Sequence, residues 1–275
     1  MKKLMRKPKL VVCDIDSTLV VRHHILTDRA KKCINLMREK GVYFGIASGR
    51  PIYQITSNHQ AWGIDAIDLT IGLNGATILD GIDHKEYSYY LMKKEWLKEV
   101  IELMSVFDTN PSIYLQDEQL FYKEDETVRH YAKETKLKVR IDENLEHFYA
   151  EDNAKIMFRV NEKDMPQVEQ WIKEHPSSHY IGFKTQPINM EFCDRRVNKG
   201  FALKQFCELH HIDLADVWAF GDTSNDNEMI RMAGLGICME NGSEDTKQIA
   251  DMITEKSCDE DGWADFVEKY LLPLL

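Results

Sequence analysis

The stretch LVVCDIDSTLV, residues 10–20, decides the fold. Four apolar residues, Leu10 to Cys13, run without alternation into Asp14 and Asp16. A continuous apolar run is the pattern of a strand buried on both faces, and such strands belong to parallel sheets. The two acids make its C-terminal tip polar. Residues two apart on a strand point to the same side, so both carboxylates can face one place.

The neighbouring segments fit this strand. Residues 27–40 have helical spacing, with Ala30, Cys33, Ile34 and Met37 on one face and Gly41 as a stop. A buried strand is predicted at 42–47, a helix at 52–62 and a third strand at 69–73. This β-α-β-α-β order implies right-handed crossovers and a parallel sheet. The middle of the chain changes character. It reads as short strands at 112–116, 119–123, 138–141, 155–160, 179–184 and 189–192, with helices at 95–104, 126–136 and 165–175. Alternation such as Lys155-Ile156-Met157-Phe158 marks it as α+β with largely antiparallel pairing. From Lys199 the strand-helix alternation resumes, with buried strands at 217–220 and 235–239. The predicted class is α/β: a doubly wound, Rossmann-like parallel-sheet core, residues 1–82 and 192–275, interrupted by an inserted α+β cap domain, residues 83–191. Hinges are expected near Ile82 and near 191–198, so that the cap can close over a site and choose the substrate.

The chain has 275 residues, 43% of them hydrophobic, enough for a real core and too many for global disorder. No uncharged apolar run approaches the ~18 residues of a membrane span, so no membrane association is expected. With 35 Lys and Arg against 46 Asp and Glu, the net charge of −11 argues against nucleic acid as a main partner. The basic lead, Met1 to Lys9, precedes an apolar stretch too short for a signal peptide. The six cysteines are scattered, with no CxxC pair, as expected of reduced thiols in a cytoplasmic protein. The adjacent pairs His23-His24 and His210-His211 lack zinc-site spacing and read as solvated.

Ligands of open parallel sheets bind outside the carboxyl ends of the strands. Those ends carry Asp14 and Asp16, then Ser48-Gly49-Arg50, then Asn74-Gly75, then Gly221-Asp222-Thr223-Ser224-Asn225-Asp226. Lys199, just before the first helix after the insert, can reach the same rim. Each element alone is a common turn or helix cap. Four of them in this order, each at a strand tip, point to one site. Crowded carboxylates resist ionisation, and Mg²⁺, which favours hard oxygen ligands, resolves the conflict. Add a lysine, a serine hydroxyl and a Gly-Arg turn, and the rim suits a phosphoryl group. Asp14 and Asp16 can serve as in-line nucleophile and proton donor.

At this point the sequence resembles the haloacid dehalogenase (HAD)-like hydrolase superfamily, specifically its Cof-like branch with a C2-type (IIB) α/β cap. The matching residues are LVVCDIDSTLV (10–20), GIASGR (45–50), NGA (74–76), VNKGFAL (197–203), AFGDTSNDNEM (219–229), DEDGWA (259–264) and the late segment 239–254. The resemblance covers the core; the cap matches by position, size and element order. It implies a Mg²⁺-dependent phosphatase. Asp14 would attack phosphorus to form an aspartyl-phosphate, and Asp16 would act as acid and then base. Asp14, Asp16 through its backbone carbonyl, and Asp222 would hold the metal, with Asp226 in support or as a further ligand. Ser48 and Lys199 would bind the phosphoryl oxygens. Asn225 would help bind phosphate or orient Lys199, Gly49 would add a phosphate contact, and Asn74 and Arg50 would add phosphate or cap-side contacts. Two positions depart from the branch: Ser17 stands where it usually has glycine, and Asn241-Gly242 where it usually has Asn-Ala.

Three functions remain open on these residues. The first is hydrolysis of a small phosphorylated metabolite, with sugar phosphates the default class by resemblance. A sugar phosphomutase would share every site residue. A non-catalytic binder of a phosphorylated ligand would be marked by loss of the acids, and all are present. The cap aromatics Tyr87, Tyr89, Tyr90, Tyr114, Phe121 and Tyr122 can stack a ring, but strand packing accounts for them. Neither substrate nor oligomeric state follows from the sequence.

Overall fold

The computed structural model describes residues 6–22, 24–64, 66–135 and 138–275. Met1 to Met5 of the basic lead, His23, and Lys136 at the end of an expected helix lie outside the described residues. The chain divides into two compact units, Met1–Tyr87 with Asn198–Leu275, and Ser88–Val197.

The first unit is built on an eight-stranded sheet. Its strands are β1 (Leu10–Cys13), β2 (Tyr43–Ala47), β3 (Leu69–Gly72), β4 (Thr77–Asp80), β5 (Lys85–Ser88), β12 (Val217–Gly221), β13 (Leu235–Cys238) and β14 (Met252–Ile253). Their order is β14-β13-β12-β1-β2-β3-β4-β5. Pairing is parallel from β14 through β3, and β1 lies between β2 and β12, where the winding reverses. Leu10, Val11, Val12 and Cys13 are all fully buried, which explains their unbroken apolar run. Strand β4 runs antiparallel to β3. The reversal is made by Leu73, Asn74 and Gly75, all with positive φ. At Gly75 (φ 109°) an added Cβ would fall 2.2 Å from the Asn198 carbonyl oxygen. The sequence reading had no strand at β4, β5 or β14. Their addition flanks the parallel sheet without altering its winding.

The first unit's helices are α1 (Asp28–Glu39), α2 (Ile52–Trp62), α6 (Lys199–Leu209), α7 (Asn227–Met232), α8 (Glu244–Ile249) and α9 (Gly262–Phe266). The Thr27 side chain accepts from the Ala30 N–H and so caps α1.

The second unit carries a six-stranded sheet in the order β10-β11-β9-β6-β7-β8. These strands are β6 (Asn110–Tyr114), β7 (Glu118–Phe121), β8 (Lys138–Ile141), β9 (Lys155–Arg159), β10 (Tyr180–Gln186) and β11 (Asn189–Asp194). Pairing is antiparallel except between β7 and β8, which are joined through α4 (Glu126–Thr135). Ile156 and Phe158 of β9 enter an apolar core with Leu97, Val100 and Met104 of α3 (Lys94–Met104) and Val168 of α5 (Met165–Glu174). The unit boundaries fall a few residues beyond 82/83 and 191/192. Strand β5 still pairs in the first sheet, and β11 stays in the second to Asp194.

Candidate active site

The site forms at the C-terminal tips of β1, β2 and β12 in the first unit. β1 pairs in register with both neighbours, so Asp14, Ser48 and Asp222 leave adjacent strands at one rim. Lys199, the first residue of α6, is completely buried among them. Its Nζ lies 2.5 Å from Asp14 Oδ1 and 2.7 Å from Asp226 Oδ1. Asn198 places it: its side chain caps α6 by accepting from the Phe201 N–H at 2.7 Å.

Asp226 is fully buried and held on both oxygens. Oδ1 takes the lysine, while Oδ2 accepts from the Asp222 N–H (3.0 Å) and the Thr223 N–H (3.3 Å). It therefore binds Lys199 and the turn after β12 into one piece. This close approach needs Gly221, where an added Cβ would lie 2.4 Å from Asp226 Cβ. Gly221→Ala is expected to cost about 1–3 kcal/mol of stability, as overpacking does, and to lower activity by displacing Asp226. Chemical denaturation and initial rates check it; a variant matching wild type in both would contradict the packing argument.

One carboxylate oxygen each from Asp14, Asp222 and Asp226 lies within 4.8 Å of the others. Three acids thus face one ammonium. Burial pushes the Asp14 carboxyl well above its usual range; Asp226 and Asp222 add to this and Lys199 pulls against it. Burial, then Asp226, pushes Asp222 up to about 6. Burial opposes the charge on Lys199, but Asp14 and Asp226 outweigh it and hold the ammonium above the ordinary lysine range. The Thr18 hydroxyl donates to Asp222 Oδ1 at 3.0 Å and orients it. Such a cluster of hard oxygen donors fits a divalent cation, whose charge would relieve the crowding. Asp14 and Asp222 have more capacity left for it than Asp226 does.

The Asp16 side chain does not join this cluster. Its two oxygens accept from Arg50 Nε at 3.0 Å and Nη2 at 2.5 Å. Ser48 is buried, and its Oγ accepts from the Arg50 N–H at 3.2 Å. The Asn74 N–H donates to the Ser48 carbonyl, and Asn225 Nδ2 donates to Asn74 Oδ1 at 3.1 Å. An added Cβ on Gly49 would lie 3.3 Å from Asn74 Oδ1. The candidate residues thus form two groups: Asp14, Lys199, Asp222 and Asp226, and Asp16 with Arg50 beside the Ser48–Asn74–Asn225 chain. Thr18 and Asn198 also contribute; both lie inside the motifs at 10–20 and 197–203, but residue type alone does not mark either as a site residue.

A second cluster, Asp80, Asp83 and His210, is a structural bracket. His210 Nε2 lies 2.7 Å from Asp80 Oδ2, and Asp80 Oδ1 accepts from the Ile82 and Asp83 N–H groups.

A doubly wound sheet with acids, a buried lysine and a serine at its strand tips defines a class of hydrolase. Residues 11–267 match the family of haloacid dehalogenase-like hydrolases. The protein belongs to that family and is an enzyme of this class. It is similar to the 5-amino-6-(5-phospho-D-ribitylamino)uracil phosphatase YitU of Bacillus subtilis, 24% identical over 96% of this chain and 98% of that one. A haloacid dehalogenase-like hydrolase from Bacteroides thetaiotaomicron shares the fold, with a TM-score of 0.86, 24% identity and coverage of 96% and 99% of the two chains. The HAD subclass IIB sugar phosphatase BT4131 does so with a TM-score of 0.80, 21% identity and coverage of 97% and 100%.

Proposed function

We propose that the protein is a Mg²⁺-dependent phosphatase acting on a small phosphorylated metabolite, a sugar phosphate or similar ester. The observation that carries this reading is the buried Lys199 ammonium between Asp14 and Asp226 at a rim that also holds Asp222. Asp14 and Asp222 would hold the cation together with the Asp16 carbonyl. When bound, it would supply charge neutralisation for the phosphoryl oxygens.

The chain's own residues do the rest. Asp14 attacks phosphorus with one carboxylate oxygen and becomes an aspartyl-phosphate as the ester oxygen leaves. Lys199 steadies the nucleophile and meets the phosphoryl oxygens, and Ser48 donates to them. Asp16 protonates the leaving oxygen and then takes a proton from the water that hydrolyses the intermediate. It can do so only when Arg50 releases at least one of its oxygens. An incoming phosphoryl group is the natural competitor for that guanidinium. Asn74, Gly49 and Asn225 line the same loops. Choice among esters is assigned to the second unit, Ser88–Val197, acting as a cap.

No helix among the described residues is long and apolar enough to cross a membrane, and all six cysteines are unpaired. A cytoplasmic setting is part of the same proposal. The test is a panel of phosphorylated metabolites with and without Mg²⁺, read as inorganic phosphate released. Metal-dependent release from some members is expected. Isomerised sugar phosphate without release would establish a mutase instead, and binding without turnover across the panel would establish a regulator.

A further inference from the structure

The catalytic loop is held in a conformation that its own residues disfavour. Among the described residues of segment 14–27, the non-glycine residues with positive φ are Ser17 (60°) and Arg22 (48°). Side chains rarely occupy this left-handed region, because Cβ crowds the backbone there. Each of these two residues has a backbone group bound by a side chain from late in the sequence. Asn241 Nδ2 donates to the Ser17 carbonyl at 2.9 Å, and Asp259 Oδ1 accepts from the Arg22 N–H at 2.8 Å. A third bond ties the end of the segment: the Thr27 hydroxyl donates to Asp261 Oδ1 at 3.0 Å.

The holding element is itself stiff. Ser257 and Glu260 form a reciprocal capping box. Asn241 Oδ1 accepts from the Cys258 N–H at 2.7 Å, which joins Asn241 to loop 257–262. At Gly262 an added Cβ would fall 2.1 Å from the Lys256 carbonyl oxygen, so the loop closes tightly. Ser17 is the peptide between the two functional parts of the catalytic loop. On one side is Asp16, paired with Arg50. On the other is Thr18, whose hydroxyl orients Asp222.

We propose that Asn241, seated on loop 257–262, is a positioning residue that holds Ser17 in its left-handed conformation and thereby sets Asp16 and Thr18 for catalysis. The proposal rests on the phosphatase reading above for its kinetic readout. Asn241 acts through Ser17 and touches no substrate. The bracket also bears on one departure in the sequence: Ser17 stands at a left-handed position better suited to glycine, and Asn241 restrains it there.

Asn241→Asp separates the two bonds. Aspartate can still accept from the Cys258 N–H but has no N–H to give the Ser17 carbonyl. The expected result is a kcat lower by about tenfold, with KM changed less than about twofold, because misplacement of reacting groups acts on the transition state. Asn241→Leu, which adds no charge, should lower kcat at least as much. Ser17→Gly should restore most of the loss in the Asn241→Asp background, since glycine adopts this φ unaided. Hydrogen exchange at the Thr18 amide should quicken in Asn241→Asp whether or not a substrate is known. Wild-type kcat in Asn241→Asp, or no recovery with Ser17→Gly, overturns the proposal. Faster exchange in an enzyme that releases no phosphate from any ester would keep the bracket and overturn the phosphatase reading instead.

Discussion

Asp14→Asn is expected to lower phosphate release by more than about 10⁴-fold, as removal of the proposed covalent nucleophile would. The substitution changes little else. Asparagine has nearly the volume of aspartate, and its amide oxygen can still accept from the Lys199 ammonium, which lies 2.5 Å from Oδ1 in the native site. It also removes one of three crowded carboxylates, which offsets the weaker bond to lysine. The thermal midpoint should therefore stay within a few degrees of wild type. Rates with a generic aryl phosphate and a melting curve on the same preparation check both halves. A folded Asp14→Asn enzyme with more than about a hundredth of native activity would show that another group attacks phosphorus. Acid-quenched wild type should carry label from a radioactive ester on Asp14, and the variant should carry none.

How much of this was legible in the sequence depended on how strongly burial constrains composition. Leu10 to Cys13 must exclude water on both faces, so nothing polar is tolerated there and the strand announces itself. Strand β4 (TILD) and strand β5 (KEYS) are short, and β5 is largely exposed. Their pairing depends on a reversal at Leu73–Gly75 that the sequence hints at only through Asn-Gly. The site was legible as a set of residue types at strand tips, and its internal bonding was not. Lysines are almost never fully buried, so the composition around Lys199 could not show that its ammonium would lie between two carboxylates. The pairing of Asp16 with Arg50 joins residues from different strand tips, and pattern reading does not resolve which acid a given cation will choose. Asn241 read as an ordinary turn residue because its partner, Ser17, is more than two hundred positions away in sequence.

Lys199→Met is expected to damage stability and chemistry together. Methionine preserves much of the apolar stem, so the change isolates the ammonium. Removing it leaves Asp14 and Asp226 buried, with Asp222 alongside and no cation. Deleting one partner of a buried ion pair costs about 3–5 kcal/mol, a fall of roughly 6–20 °C in the thermal midpoint for a unit of this size. Loss of a preorganised positive charge at the phosphoryl oxygens should lower kcat by a further factor of about 10²–10³. Mg²⁺ separates these effects. With lysine gone the acid cluster is more negative and should bind the cation more tightly. Mg²⁺ should then raise the midpoint of Lys199→Met more than that of wild type, because ligand binding to the native state stabilises it. The chemical deficit should persist at saturating metal, since added Mg²⁺ would restore positive charge but not the N–H donors that Lys199 offers. A variant that melts with wild type and is indifferent to Mg²⁺ would mean that the carboxylates are already neutral without the lysine. The ion-pair description of the site would then have to be given up.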